Sequence, residues 1–72
     1  QLIMSGNTLL ENLNGFGSLN FVGYGLEITE NINLSDFCGL QPLIKNDFNG
    51  EYSVLDNASN PSKPDILEGN CD

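Results

Sequence analysis

The acidic side chains are the residues of this chain with the clearest capacity for chemistry. The sequence has ten Asp and Glu, two Lys and no His. Without histidine, neither a Ser-His-Asp triad nor the usual zinc ligand sets can be assembled. Composition leaves a glycoside-hydrolysing carboxylate pair open, with candidates at Glu27, Glu30, Asp36, Asp47 and Glu51. We favour a solvated acidic face, and therefore predict no enzymatic activity and no cofactor.

Residues 47–51, Asp-Phe-Asn-Gly-Glu, resemble a calcium loop at first sight. With Gly50 at the sixth loop position, Lys45 would occupy the first position, where a carboxylate is required. This excludes an EF-hand. We expect an exposed Asn-Gly turn and no metal, although a weak, irregular calcium site near Asp47 stays open.

The two cysteines, Cys38 and Cys71, are separated by about half of the chain. A disulfide between them would close a loop of roughly 30 residues and contribute about 3–4 kcal/mol of stability. Such a bond would place the protein in an oxidising, extracytoplasmic compartment, at the cell surface or secreted. Two buried free thiols are the alternative.

The net charge of −8 restricts the partners. Binding to nucleic acid or to an anionic membrane requires cationic groups, so neither is expected. No apolar run approaches the ~20 residues that span a bilayer, which argues against direct membrane insertion. The chain opens on a strand-like sequence, Gln1-Leu2-Ile3-Met4, without a signal peptide. We therefore expect a processed or truncated product with a missing N-terminal neighbour.

The elements that position these residues follow from an internal repeat. Residues 2–7 align with residues 26–31 at an offset of 24, and a third copy begins at Tyr52 after an offset of 26. The alignment continues through apolar positions: Leu10 falls on Leu34, Leu13 on Phe37, Gly15 on Gly39, Phe16 on Leu40 and Leu19 on Leu43. We read three coils at about 2–25, 26–51 and 52–61, with a C-terminal cap at 62–72.

Each repeated position has a physical role. Leu26 and Ile28 alternate as on one face of a strand. Asn7, Asn31 and Asn57 recur where each strand ends, and stacked asparagines can hydrogen-bond the backbone there; we call them the asparagine ladder. The leucines that follow face inward, and Gly15 and Gly39 allow tight turns. We therefore predict a β-rich α/β-type fold with about three short parallel strands, one per coil, irregular or single-turn helical returns and one shared core.

The C-terminal segment has the signals of a short helix over residues 63–68. Ser62 can cap its N-terminus together with Asp65, and Gly69 can end it in a left-handed conformation. Ile66 and Leu67 are expected to cover the last apolar layer.

The pattern L-x-I-x-x-N-x-x-L-x-x-[LF]-x-G-[LF]-x-x-L resembles the repeat of leucine-rich-repeat proteins. It is most similar to the receptor-L-domain-like repeats of secreted and surface proteins from Bacteroidetes bacteria. The run Phe37-Cys38-Gly39-Leu40-Gln41-Pro42-Leu43, with Gly69-Asn70-Cys71 later, resembles the C-terminal end of such arrays. The resemblance implies a right-handed solenoid and does not identify a ligand.

Two functions fit this prediction. The first is a binding or adhesion module whose strand face contacts a protein or a glycan, with candidate residues Glu27, Thr29, Ser53, Leu55 and Tyr24. The second is a structural subunit of a larger surface or outer-membrane assembly. That subunit would dock through an uncapped N-terminal edge, where Leu2, Met4 and Leu9 would be exposed.

Overall fold

Three short parallel strands form one open sheet. The computed structural model describes residues 1–19, 22–46 and 48–72. The strands are β1 (Leu2–Ser5), β2 (Gly25–Thr29) and β3 (Glu51–Leu55), in the order β1-β2-β3. Between and after them lie two 3₁₀ helices (Asn14–Phe16 and Cys38–Leu40) and two short α-helices, α1 (Gln41–Lys45) and α2 (Lys63–Leu67). None of the helices in the described ranges has the length and apolar character needed to cross a membrane.

The strand register follows the sequence offsets. Met4 pairs with Ile28, and Ile28 pairs with Val54. Two residues earlier along each strand, Leu26 lies between its register partners Leu2 and Tyr52. The expectation of three in-register parallel strands is therefore confirmed. Because side chains alternate along a strand, these residues share the inner face of the sheet.

The chain following β2 is paired on both sides. On one side, the backbone N–H of Leu13 donates to the carbonyl of Asp36 at 3.1 Å. On the other, the N–H of Ser59 donates to Leu34 at 3.1 Å, and the N–H of Phe37 donates to Cys71 at 2.7 Å. The second segment (residues 26–51) thus lies between the first (residues 2–25) and the C-terminal part of the chain.

The hydrophobic core is centred on this second segment. It contains residues from the sheet, the returns and the C-terminal helix: Leu13, Leu26, Ile28, Leu34, Phe37, Leu40, Leu43, Ile44, Val54, Ile66 and Cys71. Apolar residues of the first segment pack against this core but stay partly exposed: Leu2, Met4, Leu10, Phe16, Leu19 and Val22. The first segment thus has the inward orientation expected of it, but its inward apolar side chains other than Leu13 are only partly buried.

Helix α2 has the predicted ends. Ser62 accepts a hydrogen bond from the Asp65 N–H, and the Asp65 carboxylate accepts one from the Ser62 N–H. Beyond the helix, Gly69 adopts a φ of 87°. Ile66 is fully buried, whereas Leu67 is 44% exposed. The expectation that Leu67 covers the core is wrong, because a helix of five residues turns only one narrow face inward.

The two aligned glycines have different roles. A Cβ on Gly39 would collide with the backbone carbonyl of Leu13, whereas one on Gly15 would meet nothing within 4 Å. Both lie in 3₁₀ helices, which are tight turns of the backbone, and neither has a φ in the left-handed region. Gly39 is in addition required for the close approach of two backbones, which the repeat pattern did not indicate.

Candidate binding face and asparagine ladder

The outer face of the sheet presents two rows of side chains. Ile3, Glu27 and Ser53 are register partners in one row, and Ser5, Thr29 and Leu55 are partners in the next. We call these six residues the outer strand face. Ile3, Ser5 and Leu55 are exposed, and the other three are half-exposed. Four of them, Glu27, Thr29, Ser53 and Leu55, belong to the predicted binding face, and Ile3 and Ser5 extend it along β1.

The chemistry of the outer strand face is mixed. It carries one carboxylate at Glu27, three hydroxyls and two aliphatic side chains. The Thr29 hydroxyl donates to the Ser5 hydroxyl at 3.4 Å. Hydroxyls that both donate and accept, next to exposed aliphatic surface, suit a ligand with alternating polar and apolar parts.

Tyr24 lies just before β2 and is 84% exposed. Its backbone carbonyl accepts a hydrogen bond from the Glu51 N–H at 3.3 Å, which ties it to the start of β3. The aromatic ring is available for contacts at the N-terminal end of the strands. Phe21, the aromatic residue three positions before Tyr24, lies outside the described residues.

The asparagine ladder is centred on Asn31, which is fully buried. Its Oδ1 accepts from the backbone N–H and the side-chain amide of Asn7, at 2.9 and 3.0 Å. Its Nδ2 donates to the Met4 carbonyl at 3.2 Å and to Asn57 Oδ1 at 3.0 Å. All four hydrogen-bonding positions of this amide are used, so its burial carries no desolvation penalty from an unpaired group.

Asn57 repeats this arrangement one strand further. Its Oδ1 accepts from the Asn31 backbone N–H at 3.1 Å, and its Nδ2 donates to the Ile28 carbonyl at 2.9 Å. Asn31 and Asn57 therefore each bond the strand before them as well as the next asparagine.

Asn60 is a ladder member that the repeat alignment missed. Its Oδ1 accepts from both the backbone N–H and the Nδ2 of Asn57, each at 3.0 Å. Asn60 lies three residues after Asn57 in the same turn. It thus supplies to Asn57 the acceptor that the ladder asparagine of the next segment supplies to Asn31. The sequence signal was the spacing Asn57-x-x-Asn60 directly before Pro61.

The other end of the ladder, at Asn7, is open. Its Nδ2 donates to Asn31. No residue within the described ranges donates to its Oδ1, and the side chain is exposed. An open hollow of about 610 Å³ lies here, lined by Met4, Asn7, Thr8, Leu9 and Leu10.

The predicted disulfide is present. It joins Cys38 to Cys71 with a Cα–Cα separation of 5.1 Å, inside the usual range for such bonds. Asp36 Oδ1 accepts from the Cys38 N–H at 3.0 Å. Its carboxylate and the two sulfurs lie within 4.8 Å of one another. Because the sulfurs are bonded together, they offer no thiolate to a metal.

Among the described residues, the carboxylates considered for catalysis are exposed or half-exposed. Glu27 is half-exposed on β2, and Glu51 is exposed at the start of β3. Glu30 is exposed beyond the end of β2, with a left-handed φ of 57°. Asp47, and with it the weak calcium site considered there, lies outside the described residues.

Tyr52 closes the inner face of the sheet beside the C-terminal segment. Its hydroxyl donates to the Pro61 carbonyl at 2.6 Å. Burial, together with the negative charge of Asp65, raises the pKa of Tyr52 to about 12. Both causes disfavour the phenolate, so the neutral hydrogen-bonded form holds the turn at Pro61 in place.

No family model, curated protein or solved structure matches the chain.

Proposed function

We propose that this protein is a non-catalytic interaction module of the extracytoplasmic space, built as a leucine-rich-repeat solenoid, which presents its outer strand face to a protein or a glycan. The observation that supports this most is the in-register pair of rows on the sheet: Ile3, Glu27 and Ser53, then Ser5, Thr29 and Leu55. Exposed rows on a rigid sheet form a preorganised surface, since the ligand does not have to order it.

The solenoid part of the proposal rests on the repeated stacking. The strand register and the ladder follow the same offsets of 24 and 26 residues, seen in the Asn7–Asn31 and Asn31–Asn57 bonds. The first two returns also pair at an offset of 24, in the bridge between Asn12 and Asp36. Each segment buries its apolar side only against its neighbours, as expected of solenoid repeats. The sequence pattern that resembles leucine-rich repeats gives independent support.

The size of the face bears on the ligand. Three strands at a spacing of about 4.8 Å span about 10 Å, and two rows cover about 7 Å along the strands. A standard protein interface buries about 800 Å² per partner, which is far larger. A glycan or a short peptide segment therefore fits the face by itself, whereas a folded protein would also contact flanking residues such as Tyr24.

The disulfide supports the proposed extracytoplasmic compartment. A bond between Cys38 and Cys71 persists in oxidising surroundings. The net charge of −8 suits a protein that stays in solution among other surface molecules.

A binding screen with a matched pair of charge reversals tests the proposal. The oxidised protein is applied to arrays of printed glycans and extracellular protein domains, and each ligand is then measured by calorimetry. The Glu27→Arg variant should weaken binding at least about tenfold, since it removes a face carboxylate and adds a bulky cation.

The control is Glu11→Arg, which makes the same charge change at an exposed residue outside the strands. Binding should change less than about twofold in this variant, because Glu11 lies outside the strands that carry the face. Equal losses in both variants, or no ligand bound by the wild-type protein at about 1 mM, would contradict the assignment of the face.

A further inference from the structure

We propose that the open edge of β1 receives one further segment of the same pattern: a strand parallel to β1 that ends in an asparagine and is followed by an inward leucine. This inference concerns the sheet edge and the ladder, and it does not depend on what the outer strand face binds.

The hydrogen bonds of the ladder run in one direction along the sheet, with the same set of bonds between each segment and the segment before it. The Asn31 side chain makes three hydrogen bonds with the segment before it. It accepts two from Asn7, from the backbone N–H and the side-chain amide, and it donates one to the Met4 carbonyl. Asn57 takes the same set from Asn31 and the Ile28 carbonyl. Asn7 has an identical amide in the same orientation toward Asn31, and no described residue fills this set for it. The missing groups are a backbone N–H, a side-chain amide and a strand carbonyl.

Apolar residues at aligned positions of the first two segments differ in burial. Ile28 and Leu34 are fully buried, while their counterparts Met4 and Leu10 are partly exposed beside the 610 Å³ hollow. Leu9 is 89% exposed at the same place. A segment like the second one would bring an apolar strand residue and an apolar residue three positions after its asparagine to this surface, because that is the spacing of Ile28, Asn31 and Leu34.

A second copy of this chain does not supply the required groups. In a two-fold pair the β1 strands would run antiparallel, which places the start of one strand beside Asn7 of the other. A head-to-tail stack fails for another reason: the donors of Asn57 are already bonded to Ile28 and Asn60. The geometry therefore assigns the edge to a segment whose own ladder asparagine has free donors, because no acceptor three residues later takes them as Asn60 does for Asn57.

The test is an extended protein in which a copy of residues 2–25 is inserted before Leu2. The native junction between Gly25 and Leu26 is then reproduced between Gly25 of the insert and Leu2. If the edge accepts the insert, the melting temperature should rise by at least about 5 °C. The β1 amides should exchange with solvent at least about tenfold more slowly.

The control is an insert of the same 24 residues in scrambled order, which should leave both quantities unchanged. A double-mutant comparison makes the test specific: replacing the native Asn7 with Ala should lower the melting temperature more in the extended protein than in the 72-residue chain. The proposal is overturned if the true insert behaves like the scrambled one. It is also overturned if the 72-residue chain is a dimer by light scattering and Met4→Asp makes it monomeric, since a second copy would then occupy the edge.

Discussion

The first and second segments carry nearly the same spacing of apolar residues, glycine and asparagine, yet they differ in burial. Asn31, Leu34 and Ile28 are fully buried in the second segment. Their counterparts Asn7 and Leu10 in the first are exposed or half-exposed. The second segment has neighbours on both sides and the first has one among the described residues. A repeat position thus specifies an orientation, and the neighbouring segment decides how much free energy that orientation contributes.

The two leucines at aligned positions give the largest contrast. Leu34→Ala should lower the free energy of unfolding by about 3–5 kcal/mol, because it leaves a cavity in a fully packed site. Leu10→Ala should lower it by about 1 kcal/mol, since the site is partly solvated and the surroundings can relax. Urea unfolding followed by circular dichroism measures both. Equal losses would mean that the segments contribute equally despite their different exposure.

The ladder asparagines sharpen the comparison in polar terms. Asn31→Ala should lower the free energy of unfolding by about 2–3 kcal/mol, because it leaves the Met4 carbonyl and the Asn7 side-chain amide without their hydrogen-bond partner. Asn7→Ala should lower it by less than about 1 kcal/mol, since water replaces the lost bond at an exposed site. The same urea titrations decide between them, and a larger effect at Asn7 would contradict the open-end description of the ladder.

The aligned glycines test the backbone contact between the two segments. Gly39→Ala should lower the free energy of unfolding by about 1–3 kcal/mol, because its methyl group would force the Leu13 backbone away. Gly15→Ala should change it by no more than about 0.5 kcal/mol, since nothing lies near the added methyl group. Thermal melts of the two variants, each compared with the wild-type protein, measure these changes in stability. A neutral Gly39→Ala variant would show that the returns are packed less closely than described.

A pH dependence of stability is expected at the closed, C-terminal side of the sheet. The pKa of Tyr52 is about 12 in the folded protein and 10.0 for an ordinary tyrosine. The unfolded chain therefore loses this proton first as the pH rises, so stability holds below pH 10 and falls between pH 10 and 12.

Urea midpoints across that window measure the effect. The Tyr52→Phe variant should show a shallower decline, because it has no phenol to ionise. The Asp65→Asn variant should shift the start of phenolate absorbance to lower pH, since it removes the second cause of the raised pKa of Tyr52. An unchanged decline in Tyr52→Phe would place the titration elsewhere.

Local patterns were enough to predict the strands, their register, the disulfide and the capping of α2. The alternation of Leu26 and Ile28 and the fixed offset to Met4 and Val54 contain that information directly. The close approach at Gly39 could not be predicted, because it depends on where the Leu13 carbonyl lies in three dimensions.

Two further features were also beyond the reach of the pattern. Asn60 is outside the repeat alignment, and only the folded turn shows that it replaces a following ladder residue. The exposure of Leu67 depends on which face of a five-residue helix meets the core. In both cases the missing information was three-dimensional, namely the shape of the turn after Asn57 and the orientation of the helix against the core, which periodicity does not describe.

The disulfide also determines how the molecule would respond to mechanical tension between its two ends. Cys38 and Cys71 are 33 positions apart, so a pulling force passes from one to the other through the covalent bond. The intervening stretch, which contains β3 and α2, would bear no load and would withhold roughly 110 Å of extensible chain. Rupture under tension would therefore begin with β1 peeling from β2, while the C-terminal half stayed folded behind its covalent link.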